Sequence, residues 1–254
     1  MTHRGRLTAC AVAVVAPLAS FAGAGDASAS VAAAVPPAAD EAVVTRLSDE
    51  AKLSRWAYPA REALVRTAPS DQARVIDRLR ILTEDRLPET YLLLQRREAS
   101  GAGDWVRLRV PGRPNGRTGW VPRDALGSFH RVTTAVTVDR RRLRVTLRRR
   151  GRVVFRAPIG IGKGSTPTPA GRFWIREKFR VAGGGGVYGP RALGTAAYAP
   201  GLTDWPSGGV IGFHGTNQPG LIPGRPSHGC IRLRNHDIRR FYRLVPVGTP
   251  VRIR

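Results

Sequence analysis

Cysteine is scarce in this chain of 254 residues, which contains only Cys10 and Cys230. Small exported proteins that depend on disulfides carry many more cysteines, so a disulfide framework is not expected to hold this fold together. If the N-terminal segment is removed on export, Cys230 is left without a cysteine partner. A single thiol in an oxidising compartment is explained more readily by chemistry than by structure.

Acidic residues and lysine are scarce as well. The chain has 18 acidic residues against 42 basic ones, and its formal net charge is +24. Arginine carries nearly all of the positive charge, because Lys52, Lys163 and Lys178 are the only lysines. Such a chain is attracted to polyanions. The arginines are dispersed, however, and no helix-turn-helix, zinc-finger or aromatic RNA-binding signature is present, so nucleic acid is not the expected partner.

A hydrophobic run long enough to span a membrane is also missing. The best candidate, residues 7–18, is short and is interrupted by Pro17. Two arginines precede it and the small residues Ala27–Ala29 follow it, which is typical of a secretory signal over residues 1–29, cleaved near Ser30. An uncleaved signal that anchors the chain is one alternative. Lipidation of the first cysteine is another, although that cysteine precedes most of the apolar run.

The rest of the chain divides into a linker and two predicted domains. Residues 30–54 are interpreted as a linker, because residues 30–45 are rich in alanine and proline. Residues 55–128 alternate short apolar stretches with turn residues, which predicts a small β domain. Its predicted strands are Tyr91–Leu94, Trp105–Val110 and Gly119–Pro122, with a turn at 111–116. These features resemble a bacterial SH3-like barrel, in which Trp105 and Trp120 would fill the core.

Residues 131–254 predict a second, mixed domain that is mostly β, so the fold class expected for the chain is mainly β. Alternating apolar and polar residues predict a three-stranded meander. Its strands are Thr134–Asp139, Leu143–Leu147 and Arg152–Pro158. Apolar residues at helical spacing predict a short C-terminal helix, capped by Asn235 and stopped by Pro246. A final strand follows, with Val251 and Ile253 facing inward.

The residues with most chemical potential lie between positions 214 and 235, a segment rich in glycine and proline. This segment contains Cys230, His214 and His228. A free cysteine has a pKa of about 8.5, so an imidazole must take its proton before the sulfur attacks a substrate. His228 lies two positions before Cys230, and a loop could bring His214 back against the sulfur. A zinc site formed by the same three residues is the alternative, but the spacing of zinc motifs is missing.

The order of residues around these three side chains is specific. The chain reads His-Gly-Thr-Asn-x-Pro from position 214, Ser-His-Gly-Cys-Ile-Arg-Leu from position 227 and Asn-x-Asp-Ile from position 235. This pattern resembles the active-site signature of YkuD-type L,D-transpeptidases, cysteine enzymes that cross-link bacterial peptidoglycan. The segment Thr166–Phe173 is similar to a second element of that family, which leads into a strand beside the catalytic sheet.

The resemblance implies a role for each residue of the motif. Cys230 is the expected nucleophile, and His214 is the base that takes its proton. The backbone carbonyl of Gly215 would orient the imidazole. Backbone amides around His228, Gly229 and the cysteine would bind the oxyanion, with His228 as a hydrogen-bond partner beside it.

A second group of residues is expected to contact the substrate. Its members are Arg232, Ser227, Tyr188, Thr216 and Asn217. Tyr188 begins a segment that is similar to one lining the substrate groove in the family. Arg232 is expected to pair with a substrate carboxylate, and Ser227 to fix the loop.

The implied function is formation of 3→3 cross-links between stem peptides through a cysteinyl thioester, outside the cytoplasm. No metal or organic cofactor is expected, and the chain is expected to be a monomer. The expected partners are peptidoglycan stem peptides, anionic wall polymers and carbapenem-type inhibitors. An L,D-carboxypeptidase, in which water resolves the thioester, is the first alternative. A non-catalytic wall-binding protein is the second, and the intact Cys230 and His214 argue against it.

Overall fold

The computed structural model describes residues 42–99, 103–183, 186–202 and 206–254. The predicted export signal therefore lies outside the described residues. Within them the fold is mainly β with one short C-terminal helix, as the sequence predicts. That helix has ten residues, and no helix of the described part has the length and apolar character needed to cross a membrane.

The N-terminal half forms an eight-stranded antiparallel sheet. Its strands are β1 (Val43–Arg46), β2 (Ser54–Ala57), β3 (Leu64–Arg66), β4 (Val75–Arg78), β5 (Tyr91–Ala99), β6 (Gly103–Arg109), β7 (Thr118–Pro122) and β8 (His130–Val132). They lie in the order β4-β3-β7-β6-β5-β2-β8, and β1 pairs with the far end of β5. The side chains of Leu79, Tyr91, Leu93, Val106 and Leu108 pack in the core of this sheet.

The boundaries of this first sheet differ from the sequence-based ones. The strands predicted around Leu93, Trp105 and Trp120 are confirmed, and both tryptophans are buried. However, β1 lies inside the segment interpreted as a linker, and β8 extends the sheet past residue 128. All four residues of β1 are exposed, so this strand has no buried apolar face that could have identified it. The resemblance to an SH3-like barrel stays a prediction.

The C-terminal half forms a ten-stranded sheet and one helix. These elements are β9 (Thr134–Asp139), β10 (Arg144–Arg149), β11 (Arg152–Pro158), β12 (Gly160–Gly162), β13 (Gly171–Arg180), β14 (Arg191–Tyr198), β15 (Val210–His214), β16 (Gly224–Ser227), β17 (Ile231–Arg232), α1 (Asn235–Leu244) and β18 (Pro250–Ile253). The strand order is β11-β10-β9-β18-β13-β14-β15-β17-β12-β16. The predicted meander is confirmed as β9 to β11, although Leu143 precedes β10 and has a positive φ of 46°.

Helix α1 covers the middle of this sheet with an apolar face. Ile238 and Phe241 are buried, and the ring of Phe241 lies 5.0 Å from that of Phe213 on β15. The prediction that Asn235 caps the helix is wrong, because the cap position is Arg234 and no side-chain cap bond forms. Asn235 Oδ1 instead accepts the backbone N–H of Thr216 at 2.9 Å, so its side chain is used by the loop that follows β15.

A buried ion pair joins the two sheets. Arg176, on β13, pairs with Glu89, which precedes β5, and both side chains are fully buried. Arg176 also contacts Glu84 at 3.1 Å and donates to the Tyr198 hydroxyl at 3.0 Å. Removing one partner from such a group would leave a buried charge uncompensated, so these contacts fix how the N-terminal sheet sits on β13 and β14.

The predicted turn at 111–116 also packs on the C-terminal sheet. Asn115 exchanges two hydrogen bonds with the backbone of Tyr198, at 2.8 and 3.0 Å. The guanidinium of Arg113 donates to the carbonyl oxygens of Ala199 and Gly208, at 2.8 and 2.9 Å. The N-terminal half therefore supports the end of β14 and the loop that leads into β15.

Candidate active site

Cys230 lies at the end of a tight loop between β16 and β17. Its side chain is partly buried, and its Sγ atom lies 4.0 Å from the carbonyl oxygen of Val210 on β15. The hydroxyl of Ser227 holds the loop from inside. It donates to the Cys230 carbonyl at 2.6 Å and accepts the Gly229 N–H at 3.1 Å.

Gly229 gives the loop its shape. Its φ is +126°, a conformation that side chains other than glycine rarely adopt. A Cβ atom at this position would also lie 2.7 Å from Ile211 Cδ1. The Gly229 carbonyl oxygen accepts a hydrogen bond of 2.7 Å from the Thr168 hydroxyl. The same hydroxyl accepts a hydrogen bond of 2.9 Å from the Gly162 N–H. The segment Thr166–Phe173 therefore braces the cysteine loop from the side.

His214 is brought beside the cysteine by strand pairing. It is the last residue of β15, which runs parallel to β17 with Phe213 opposite Ile231 and His214 opposite Arg232. Its Nδ1 atom lies 2.6 Å from the Gly215 carbonyl oxygen. A carbonyl can only accept a hydrogen bond, so Nδ1 carries the proton and Nε2 is left as the acceptor. The ring of Tyr188 packs edge-on against the imidazole, with 5.0 Å between the ring centres.

The electrostatic surroundings keep both groups neutral. Burial and the nearby charge of Arg232 together lower the pKa of His214 to about 4, although the hydrogen bond to Gly215 acts in the opposite direction. Burial raises the pKa of the Cys230 thiol, although the Gly212 N–H and the Arg232 charge favour the thiolate. At neutral pH the site therefore holds a protonated thiol beside an unprotonated imidazole. Proton transfer between them is expected to accompany attack on a substrate.

Two clefts meet at the thiol. Tyr188, Val210, His214 and Cys230 line both of them. The first cleft has a volume of about 230 Å³ and also contains Ser227, His228 and Arg232. The second has a volume of about 320 Å³ and extends to β13. The structure therefore brings the predicted nucleophile and base together at a point that is reached from two sides.

The loop after His214 supports the site from behind. Thr216 is buried, and Asn217 is exposed; neither residue lines either cleft, so the structure does not place them as substrate contacts. Gly215 and Gly189 are in backbone contact, since a Cβ on Gly189 would lie 2.6 Å from the Gly215 Cα. Gly189 follows Tyr188, whose ring packs edge-on against the imidazole.

The backbone N–H of Gly229 was expected to be one of the donors that bind the oxyanion. This N–H is engaged by the Ser227 hydroxyl, so it is not a vacant oxyanion donor. The side chain of His228 is exposed and lines the first cleft. Arg232 also lines this cleft but is partly buried, and its Nη1 atom lies 3.4 Å from Gln218 Oε1.

Comparison with known proteins identifies the family. The model of the L,D-transpeptidase catalytic domain, named YkuD, matches residues 133–253. YkuD of Bacillus subtilis (strain 168) is 33% identical over 184 residues, which make up 72% of this chain and 96% of that protein. The chain belongs to the YkuD L,D-transpeptidase family.

Solved structures of L,D-transpeptidases are similar to part of this YkuD-family chain. The enzyme of Enterococcus faecium is 27% identical, with a TM-score of 0.37, and the match covers 48% of this chain and 49% of that one. L,D-transpeptidase 3 of Mycobacterium tuberculosis, in complex with a faropenem-derived adduct, is 17% identical with a TM-score of 0.40. That match covers 59% of this chain and 90% of the other.

Several residues of this YkuD-family site were not predicted from the sequence. Thr168 lies inside a recognised segment, but its contact with the cysteine loop depends on folding. Glu177 lies in the second cleft together with Asp85, which comes from the N-terminal half. The available sequence feature was a single acidic residue, Glu177, between Arg176 and Lys178 and shortly after the apolar stretch Phe173–Ile175.

Proposed function

We propose that this chain is an exported L,D-transpeptidase that makes 3→3 peptidoglycan cross-links through a thioester on Cys230. Family membership supports the reaction class. The single observation that carries the proposal is that Cys230 and His214 line the same two clefts, with His214 Nε2 available as a proton acceptor. A donor and an acceptor can each use one cleft and meet at the sulfur.

In the first half-reaction His214 takes the proton of the Cys230 thiol. The sulfur attacks the carbonyl carbon of meso-diaminopimelate, the third residue of a tetrapeptide stem. A C–S bond forms, the C–N bond to D-alanine breaks, and the imidazolium returns the proton to the leaving amine. Because the Gly229 N–H is engaged, the backbone amide of Cys230 is the donor proposed for the oxyanion.

The first cleft suits the donor stem. Arg232 lines it and supplies a positive charge for the carboxylate of the leaving D-alanine. His228 lies at the exposed side of the same cleft, and Tyr188 borders it beside the imidazole. Ser227 acts indirectly, by fixing the loop that carries the nucleophile.

The second half-reaction decides between transfer and hydrolysis. An amine from a neighbouring stem would attack the thioester and give a cross-link. Water at the same position would give a tripeptide, and the protein would then be an L,D-carboxypeptidase. A non-catalytic wall-binding role is disfavoured by the paired thiol and imidazole, both of which reach the clefts.

Incubation of the purified protein with tetrapeptide muropeptides tests the proposal, with mass spectrometry as the readout. Dimers indicate transfer, whereas tripeptides without dimers indicate hydrolysis. Faropenem should add once per chain, at Cys230. Cys230→Ala should abolish every product and the adduct. Failure of the folded wild-type protein to form any of the three would contradict the proposal.

The proposed place of action is the cell wall. Export would depend on the signal predicted in residues 1–29, and the formal charge of +24 would favour contact with anionic wall polymers. Expression of the full chain in a bacterial host, followed by N-terminal sequencing of the extracytoplasmic protein, would show whether cleavage occurs near Ser30. Retention of the full chain in the cytoplasm would contradict this assignment.

A further inference from the structure

The second cleft contains a buried carboxyl group that the proposed reaction does not yet use. Glu177, on β13, is only 3% exposed and lines this cleft. The other charged residues that line it, Asp85 and Arg180, are exposed. The first cleft is lined by the positively charged Arg232 instead. The two clefts that meet at Cys230 therefore differ in charge, with an arginine in one and a buried carboxyl group in the other.

Strand register places Glu177 in line with the nucleophile. Glu177 lies opposite Gly194 on β14, and Gly194 lies opposite Gly212 on β15. Because Phe213 lies opposite Ile231, Gly212 is the neighbour of Cys230. Adjacent strands are about 4.8 Å apart, so three steps separate the two Cα atoms by roughly 14 Å. The two positions between them are glycines, which leave the floor of the cleft free of side chains.

The Glu177 carboxyl group reaches over this floor. A Cβ atom on Gly194 would lie 2.6 Å from Glu177 Cγ, so only glycine leaves room for the carboxyl group there. Glu177 Oε2 accepts the hydroxyl of Thr83 at 2.6 Å. Its other oxygen, Oε1, is buried and has no hydrogen-bond partner among the described residues. A buried oxygen of this kind is costly unless a ligand completes its hydrogen bonding.

We propose that Glu177 forms the subsite for the ammonium group of the acyl acceptor, the amine that resolves the thioester. This inference rests on the proposed function and names the residue that recognises its second substrate. An ammonium group would supply the donor that Oε1 lacks, and the glycine floor would let it approach the thioester from the side opposite Arg232. A carboxylate beside the same amine would find Arg180 in the same cleft.

The protonation state of Glu177 fits this role. Burial raises its pKa to about 7, with Asp85 and Glu89 acting in the same direction and Thr83 and Arg176 opposing it. A carboxyl group with a pKa near the working pH exchanges protons readily. The entering ammonium gives one proton to Glu177, and the free amine attacks the thioester carbon. The C–N bond forms, the C–S bond breaks, and a second proton passes from nitrogen through His214 to the sulfur.

The N-terminal sheet completes this subsite. Thr83 and Asp85 both lie between β4 and β5, and Thr83 is buried. The Thr83 hydroxyl donates to one carboxyl oxygen, Oε2, and leaves Oε1 without a partner among the described residues. The same segment includes Glu84 and Glu89, which hold Arg176. The N-terminal half is therefore inferred to act in acceptor recognition.

The test separates transfer from hydrolysis in the full-length protein. The donor is a tetrapeptide muropeptide, and the acceptor is an isotopically labelled tripeptide muropeptide, which cannot itself be a donor. Glu177→Gln keeps the size of the side chain and an oxygen that can accept from Thr83. It should lower the rate of labelled dimer formation at least tenfold and raise the acceptor KM, while tripeptide formation changes less than twofold. Thr83→Val should cause a smaller change in the same direction.

Glu98→Gln is the matched control, because Glu98 pairs with Arg96 on the N-terminal sheet, away from both clefts. It should leave both products unchanged. Dimer formation at the wild-type rate by folded Glu177→Gln would overturn the subsite while leaving the proposed function intact. An equal loss of dimer and tripeptide would show that Glu177 is not specific for the acceptor. If the wild-type protein forms no product and no faropenem adduct, the proposed function itself fails.

Discussion

The Nδ1 atom of His214 and the carbonyl oxygen of Gly215 are 2.6 Å apart, so the imidazole is oriented by the residue that follows it in the chain. This contact fixes the tautomer and leaves Nε2 to accept a proton. It needs glycine at position 215, because a Cβ there would lie 3.0 Å from both Gly189 Cα and Pro190 Cδ. The base is therefore held by backbone, and no carboxylate from the described ranges is bonded to it.

Replacing this base should slow acylation strongly. His214→Ala removes the proton acceptor, and general-base catalysis typically contributes about 10²–10⁴-fold to a rate. The measurement is the rate of faropenem addition to Cys230, followed by intact-protein mass spectrometry, with circular dichroism as the check on folding. His228→Ala is the comparison variant, and a smaller effect is expected because His228 is exposed at the cleft edge. A larger loss in His228→Ala than in His214→Ala would reverse the assigned roles.

The pH dependence of acylation follows from the same surroundings. Because burial lowers the pKa of His214 to about 4, the imidazole stays unprotonated down to that pH, and no rate loss is expected near pH 6.5. The rate should fall as the pH drops through about 4. Cys230 should react with iodoacetamide at pH 7 more slowly than a free cysteine does, because burial raises the pKa of its thiol. A loss of half the rate at pH 6.5 would contradict this description.

The sequence predicted the parts of the site that depend on local order. The two short motifs that contain His214 and Cys230 were enough to predict the base and the nucleophile. In the fold these motifs lie at the ends of the adjacent strands β15 and β17. The meander of β9 to β11 was predicted because its apolar residues alternate. Thr216 and Asn217 share the motif, but the first supports the loop and the second faces solvent, and residue type alone does not distinguish these positions.

The parts that were missed depend on contacts between distant segments. The line from Glu177 through Gly194 and Gly212 to Cys230 exists only once four strands are in register. Asn235 has the composition of a helix cap, yet its side chain binds the Thr216 backbone instead. In both cases the partner lies far away in sequence, so local propensity could not identify it.

The glycine at position 229 should be irreplaceable in the cysteine loop. Gly229→Ala introduces a Cβ that would lie 2.7 Å from Ile211 Cδ1, at a φ of +126°. Backbone strain of this kind costs about 1–3 kcal/mol, and relief of the contact would move Cys230 away from His214. Faropenem addition should therefore fall by more than tenfold. Gly164→Ala is the control, because a Cβ there meets nothing within 4 Å, and it should acylate normally.

Removing one partner of the buried ion pair between the sheets should destabilise the fold strongly. Glu89→Ala leaves Arg176 buried with one fewer carboxylate, and breaking such a pair costs about 3–5 kcal/mol. Urea denaturation measures the change in the free energy of unfolding. Asp124→Ala is the control, since its partner Arg61 and the aspartate are both exposed and the pair contributes about 1 kcal/mol or less. Equal effects of the two substitutions would show that the buried pair does not hold the sheets together.

Glu177 should lower stability at alkaline pH, which can be measured without any substrate. Its pKa is about 7 in the folded protein against 4.5 for the exposed group, so the folded state binds this proton more tightly. The stability that this proton provides is complete below pH 4.5 and is lost as the pH rises from there through 7. At 1.36 kcal/mol per pKa unit, the loss amounts to about 3 kcal/mol by pH 8.

Glu177→Gln should therefore be less pH-dependent in stability than the wild-type protein. Glutamine does not titrate, so the variant should gain stability relative to wild type between pH 5 and pH 8, measured as the difference in Tm. Other titrating groups, such as Glu84, are present in both proteins and cancel in that difference. A variant that is more stable at pH 8 yet transfers poorly to amines would indicate that this carboxylate is kept for its action on a substrate, since it weakens the fold. A difference in Tm that does not change with pH would mean that Glu177 is already ionised in the folded protein at pH 5, which would contradict its raised pKa.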